Sequence, residues 1–95
     1  MKVRLTPPQQ GALECRRDGL DPLTLEAWQG RWLVFSRTRA DELLSELVDA
    51  SNAEDAQAER LRRQGNLLCA RFAAADSRAL GNVASSIVRA LRREF

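Results

Sequence analysis

Two long stretches in the second half of the chain repeat apolar residues at helical spacing, every three or four positions. The first covers residues 38–64, and its apolar face consists of Leu43, Leu44, Leu47, Ala50, Ala58 and Leu61. The second covers residues 67–93, and its apolar stripe consists of Cys69, Phe72, Ala73, Leu80, Val83, Ala84, Ile87 and Leu91. Gly65-Asn66 is typical of a chain reversal, and so short a link forces two long helices to run antiparallel. We therefore predict a helical hairpin over residues 37–95.

One question within the first long helix stays open. Ser51 and Glu54 have the spacing of a capping box, S/T-x-x-E, which can begin a new helix. The alternatives are a single helix from Thr38, acting as its N-cap, to about Gln64, and two helices that meet near Ser51. We favour the single helix.

The beginning of the chain predicts a strand followed by a short helix. Positions 2–5 alternate polar and apolar residues, as in a strand. Thr6 and Gln9 then form a capping box, with Pro7 in the first helical position. The short helix is expected to run to about Arg17.

Two runs that follow, Leu23–Trp28 and Arg31–Phe35, look like strands joined by a tight turn at Gln29-Gly30. This turn pairs Trp28 with Arg31. One face of the hairpin is wholly apolar and is expected to face the core; it carries Leu23, Leu25, Ala27, Trp32 and Val34. The element order β-α-β-β-α-α predicts a single α+β domain over residues 1–95, with the strand, short helix and β-hairpin in residues 1–36.

The other face of the β-hairpin carries the first candidate binding residues: Trp28, Arg31, Leu33 and Phe35. Either the short helix covers this face, or the four residues form an exposed patch in which Trp28 and Arg31 make a cation–π pair. Aromatic and arginine residues dominate contact hot spots. An exposed hairpin face would therefore suit a protein partner or a homodimer.

A polar layer interrupts the two apolar stripes. The antiparallel register places Glu54 opposite Asp76, with Ser51 and Ser77 nearby. Two facing carboxylates repel in a low-dielectric seam, and an unpaired buried charge costs several kcal/mol. The main interpretation is that the layer is structural. A kink at Ser51 would turn Glu54 towards solvent, Asp76 would accept a hydrogen bond from the β-hairpin, or the polar layer would fix the register of the two helices. The alternatives are an arginine from a partner, a magnesium-, calcium- or manganese-type metal site, and general acid–base chemistry.

Five arginines share one face of the last helix, together with Asn82 and Ser85, and no acidic residue interrupts them: Arg71, Arg78, Arg89, Arg92 and Arg93. We call this set the arginine stripe and expect it to be exposed. It is either a solvated face, a contact for an acidic protein surface, or a contact for a nucleic-acid backbone. The low net charge of +2 and the lack of interleaved aromatic residues disfavour nucleic acid.

The composition excludes several kinds of chemistry. The chain has no histidine and no tyrosine, which removes Ser–His triads and histidine–zinc sites. Neither a metal-binding cysteine spacing nor a glycine-rich phosphate loop occurs. We therefore expect no enzymatic activity, no metal and no cofactor. Without a secretory signal or a membrane-spanning segment, a cytoplasmic location is predicted, with Cys15 and Cys69 reduced and buried.

These features predict a small non-enzymatic regulatory or accessory protein that docks on a larger protein partner. Its contact surface is expected to be the arginine stripe or the mixed hairpin face. The alternative is a nucleic-acid-binding protein that uses the arginine stripe.

Overall fold

The computed structural model describes residues 1–93 and has the predicted α+β architecture. The elements in chain order are β1 (Lys2–Arg4), α1 (Pro7–Cys15), α2 (Pro22–Ala27), β2 (Trp28–Gln29), β3 (Trp32–Val34), α3 (Ala40–Arg63) and α4 (Leu67–Arg93). The three strands form one antiparallel sheet in the order β1-β3-β2. The helices α3 and α4 form the predicted helical hairpin.

The helical hairpin depends on a glycine and is held in register by a serine pair. Gly65 has a φ of 78°, in the left-handed region that favours glycine, and it reverses the chain between α3 and α4. The helix α3 runs for 24 residues without a break, so the single-helix prediction is confirmed. In its middle, the Ser51 hydroxyl donates to the Ser77 carbonyl oxygen at 2.9 Å, and the Ser77 hydroxyl donates to the Ser51 carbonyl oxygen at 2.9 Å.

The predicted start of α3 at Thr38 is wrong. A 3₁₀ turn at Arg37–Arg39 leads directly into the helix, and its backbone hydrogen bonds replace a side-chain cap. The Thr38 hydroxyl lies 3.0 Å from the Ser36 hydroxyl instead. By contrast, the capping box of α1 is confirmed, with Gln9 and Thr6 bonding each other's backbone N–H groups.

The prediction of a strand over Leu23–Trp28 is also wrong, because residues Pro22–Ala27 form the helix α2. The Asp21 carboxylate accepts a hydrogen bond from the Leu23 N–H at 3.2 Å, and Pro22 takes the first helical position. The β-hairpin is therefore shorter than predicted. Its turn consists of Gly30 and Arg31, with a φ of 61° at Gly30.

The new hairpin register reverses the predicted faces. Trp28 pairs with Leu33 rather than with Arg31. Because side chains alternate along a strand, the core face carries Leu33, which is fully buried, while Trp32 and Val34 point outward. Of the predicted core face, Trp32 and Val34 thus lie on the outer face of β3 and Leu25 of α2 is exposed, whereas Ala27 is buried as predicted.

The core lies where the sheet and α1 pack on the C-terminal half of α4 and the first half of α3. Its fully buried side chains include Leu13, Leu33, Leu43, Leu47, Leu80, Val83 and Ile87. The predicted apolar stripe of α4 is buried here. It is uncovered near the chain reversal, where Phe72 and Cys69 are exposed.

The prediction that Cys15 and Cys69 are buried is wrong for both, because both are exposed, and both are free thiols.

Candidate protein-interaction surface

Three large apolar side chains are exposed at the end of the helical hairpin. Leu67 and Leu68 are 64% exposed and Phe72 is 63% exposed. We call these three residues the tip patch. Single apolar residues on a surface are ordinary, but a contiguous apolar patch marks an interaction site.

The local sequence explains why the tip patch is contiguous. The Asn66 side chain caps α4 by accepting a hydrogen bond from the Cys69 N–H at 3.3 Å. The two leucines therefore lie in the first helical turn. Phe72 follows Leu68 by four residues, so the two side chains are neighbours on the helix surface.

Phe72 is uncovered because the rest of the protein ends before it. In α4, Phe72 lies on the same side as Val83 and Ile87, eleven and fifteen residues later. Both of these residues are fully buried in the core that α1 and β1 share with α4. The N-terminal elements do not extend over the tip, so the apolar face continues into solvent there.

An open groove of about 910 Å³ runs beside the tip patch, between α3 and α4. Asp55 and Arg62 line it from α3, while Leu67, Arg71 and Phe72 are among the residues that line it from α4. Its walls are therefore a mixture of apolar and mainly cationic side chains. Such a surface can take a partner that is apolar in the middle and acidic at the edge.

The arginine stripe has the exposed position that the sequence predicts. All five of its residues are exposed, and the span from Arg71 to Arg93 is about 33 Å at 1.5 Å per residue. In residues 1–93, none of these guanidinium groups lies within 4.0 Å of a carboxylate oxygen. Arg89 donates instead to the Ser86 hydroxyl at 3.1 Å. The stripe thus offers positive charge to a partner.

The polar layer has an internal partner; a buried arginine was among the groups expected to compensate its carboxylates, but the sequence did not identify which one. The Arg16 guanidinium, just after α1, donates to Glu54 at 2.5 Å, and the two side chains are only 25% and 16% exposed. Asp76 lies near this pair. Its pKa is raised because burial disfavours the charged carboxylate and, secondarily, because Glu54 is negative. The layer is thus stabilised by an arginine of the same chain.

The chemistry of the polar layer is limited. Ser51 and Ser77 each donate their hydroxyl proton to a main-chain carbonyl, so neither hydroxyl is directed at a general base. Over residues 1–93, no group of three or more cysteine, aspartate or glutamate side chains is arranged to hold a metal ion. The Arg16–Glu54 ion pair and the two serine hydrogen bonds support a structural role, in which the layer ties the N-terminal elements to the helical hairpin.

The four candidate residues of the hairpin face do not form one exposed patch. Leu33 is fully buried and Phe35 is 7% exposed, whereas Arg31 lies in the exposed turn. The predicted cation–π pair is also different, because the Arg17 guanidinium lies 4.6 Å from the centre of the Trp28 ring. The structure thus follows the buried alternative for Leu33 and Phe35.

Sequence patterns alone missed the tip patch. Phe72 matched the apolar stripe and was assigned to the core, while the adjacent Leu67 and Leu68 fell outside the stripe. Two leucines directly after the chain reversal, on the polar side of the helix, were the available signal. They indicate apolar side chains that the hairpin itself cannot bury.

In the part of the chain from residue 1 to residue 93, no helix combines the length and the apolar character needed to cross a membrane. Comparison of the chain with protein-family models, with curated proteins and with solved structures found no match.

Proposed function

We propose that this protein is a small non-enzymatic interaction protein, and that it docks on a larger protein partner through the tip patch. The observation that carries the proposal is the exposure of about two-thirds of each side chain in two leucines and a phenylalanine that line one groove. Full burial of such a side chain contributes roughly 1.5–3 kcal/mol. Covering all three with a partner would therefore contribute several kcal/mol to a complex.

The way in which the tip patch is presented also supports docking. The molecule is elongated, with extents of 45 × 23 × 20 Å, and the patch lies at the end of the helical hairpin. The patch is built on helices rather than on a loop, and Ser51 and Ser77 fix the two helices against each other. A preorganised surface loses less conformational entropy on binding, which favours affinity.

Affinity capture from the native cell tests this function with matched variants. The bait is the wild-type chain, a tip variant with Leu68→Ser and Phe72→Ser, or a control with Val48→Ser, which changes a 42% exposed residue of α3. Circular dichroism first establishes that all three fold. We expect the partner to bind the wild type and the control and to be lost from the tip variant. Equal capture by all three would contradict the proposal.

The arginine stripe supports a second candidate function, nucleic-acid binding. Its specific observation is five exposed arginines without a carboxylate partner in the described residues 1–93. Phosphate-driven affinity is strongest at low salt. Undetectable binding of DNA and RNA at about 50 mM salt would remove this candidate. A steep salt dependence that Arg78→Ala with Arg89→Ala abolishes would support it.

For either function we propose a cytoplasmic location. Fractionation of cells that express the tagged chain tests it, because a protein at a membrane or outside the cell would be absent from the cytoplasmic fraction.

A further inference from the structure

We infer that the tip patch binds an amphipathic helix of a partner protein, and that carboxylates line the rim of that helix. This assignment deepens the proposed function, since it holds only if a protein binds the tip patch. It follows from the face of α4 on which Phe72 lies and from the charges that surround this residue.

The face of α4 that carries Phe72 already packs against a helix of this chain. Phe72, Asp76, Ala79, Val83 and Ile87 follow at intervals of four, three, four and four residues, which places them on one side of α4. The helix α1 packs against α4 at the far end of this row, where Val83 and Ile87 are fully buried. The row is therefore a surface whose shape suits a helix.

The end of α1 marks where the covered part of this row stops. Arg16, the residue after α1, pairs with Glu54, and the charge of Glu54 acts on Asp76. The Arg16 guanidinium at the end of α1 therefore lies near the level of Asp76. A second helix placed end to end with α1 would cover Phe72 and Leu68 next.

The charges around the tip patch select the chemistry of that helix. The groove beside the tip patch is lined by three arginines, Arg62, Arg71 and Arg78, and by one carboxylate, Asp55. Residues 56–75, around the chain reversal, contain four arginines against one further carboxylate, Glu59, which is ion-paired with Arg62. Arg60 bonds a neighbouring amide, and Arg71 has no carboxylate within 4.0 Å in the described residues. These two cations lie on α3 and α4, so each helix of the hairpin offers one. Carboxylates on the rim of a bound helix would complement both.

Other occupants fit these observations less well. A second copy of the chain, related by a two-fold axis, would bring two sets of the same arginines together, and like charges at an interface are costly. An anionic membrane would attract the arginines and could cover the leucines at the tip, but Phe72 lies in the row along the side of α4. A helix with apolar anchors at positions i, i+4 and i+7 matches the row directly.

Selection from a phage-displayed library of helical peptides, with all surface positions randomised, tests the inference on the purified full chain. We expect the enriched peptides to share an apolar stripe at i, i+4 and i+7 and an excess of Asp and Glu beside it. Phe72→Ser is expected to weaken the leading peptide by about tenfold or more in Kd. Arg71→Glu is expected to weaken it several-fold and to remove the preference for acidic rims. The matched controls are Val48→Ser and Arg4→Glu, which change exposed residues away from both the tip patch and the arginine stripe.

The possible results separate the inference from the proposed function. Neutral or basic peptides, binding unaffected by Phe72→Ser, or no enrichment at all would overturn the acidic-helix assignment. A dimer in sedimentation that Phe72→Ser abolishes would overturn the assignment in favour of a second copy. Binding to phosphatidylserine vesicles that Phe72→Ser abolishes would overturn it in favour of a membrane. If the cellular partner still requires Phe72 while the selected peptides lack carboxylates, the acidic-helix assignment fails alone. If Phe72→Ser changes neither capture nor peptide selection, both fail.

Discussion

The Arg16 guanidinium lies 2.5 Å from the Glu54 carboxylate and joins the end of α1 to the middle of α3. Three further ion pairs in residues 1–93, Arg17–Glu14, Arg62–Glu59 and Arg63–Glu59, join side chains that are only three or four positions apart. The Arg16–Glu54 pair is also the most buried of them, so it is the one with most effect on how the N-terminal elements sit on the helical hairpin.

Removal of one partner of this pair is expected to destabilise the protein. Glu54→Leu leaves the Arg16 guanidinium mostly buried without a carboxylate, and we expect a loss of about 1–3 kcal/mol in the free energy of unfolding. Arg16→Met with Glu54→Leu removes both charges and should recover most of this loss. Urea denaturation measures both.

Glu59→Leu is the control for the loss of a glutamate, because Glu59 pairs with Arg62 on the exposed surface of α3. A surface pair contributes about 0–1 kcal/mol, so its loss should have a small effect. If Glu54→Leu and Glu59→Leu had equal effects, the Arg16 pair would not be the anchor of the N-terminal elements.

The raised pKa of Asp76 predicts a stability that depends on pH. Below the ordinary value of 3.8 the carboxyl is protonated in the folded and the unfolded chain, and no penalty arises. As the pH rises through the raised pKa, the folded chain must ionise a half-buried group beside Glu54, so its stability falls. Asp76→Asn should therefore raise Tm at pH 7 and leave it nearly unchanged near pH 3.

Thermal melts from pH 3 to pH 7 measure this effect, and Asp55→Asn, at an exposed position of α3, controls for the loss of one charge. Asparagine and aspartate have similar helix propensities, so the substitution isolates the charge. A lower Tm of Asp76→Asn at neutral pH would mean that the ionised carboxylate stabilises the layer.

The tip patch predicts a contrast within the apolar stripe of α4. Phe72→Ala should change the free energy of unfolding by no more than about 0.5 kcal/mol, because the side chain is already exposed. Leu80→Ala, at a fully buried position eight residues later, should cost about 2–5 kcal/mol. Chemical denaturation of the two variants measures both losses, and similar large losses would place Phe72 in the core.

The chain reversal predicts opposite effects of alanine at two glycines. Gly65→Ala forces a side chain into a φ of 78° and should cost about 1–2 kcal/mol. Gly11→Ala, within α1 and with no atom within 4 Å of the added methyl group, should stabilise the protein by up to about 1 kcal/mol. Differential scanning calorimetry compares them, and a neutral Gly65→Ala would contradict the conformation of the reversal.

Sequence patterns predicted the features that depend on neighbouring residues. The capping box of Thr6 and Gln9 and the reversal at Gly65 are local, and both are present. The helix start at Asp21 and Pro22 is equally local but was not predicted, because the residues Leu23–Trp28 after it were interpreted as a strand. The helix α2 formed because the Asp21 side chain caps it.

Features that depend on distant residues could not be predicted. Arg16 and Glu54 are 38 positions apart, and no spacing rule connects them. The burial of Leu33 depends on a hairpin register in which a shift by one residue reverses the faces. Likewise, the stripe through Phe72 shows which side of α4 is apolar, but not how far α1 and the sheet extend along it.

Site-specific photo-crosslinking in the native cell tests most directly whether the tip patch binds a protein. A photoreactive phenylalanine analogue replaces Phe72 in one variant and Val48 in another, and both positions are exposed. We expect irradiation to produce a discrete crosslinked protein with the analogue at position 72 and none at position 48. No crosslink at position 72, or the same products at both positions, would contradict the account.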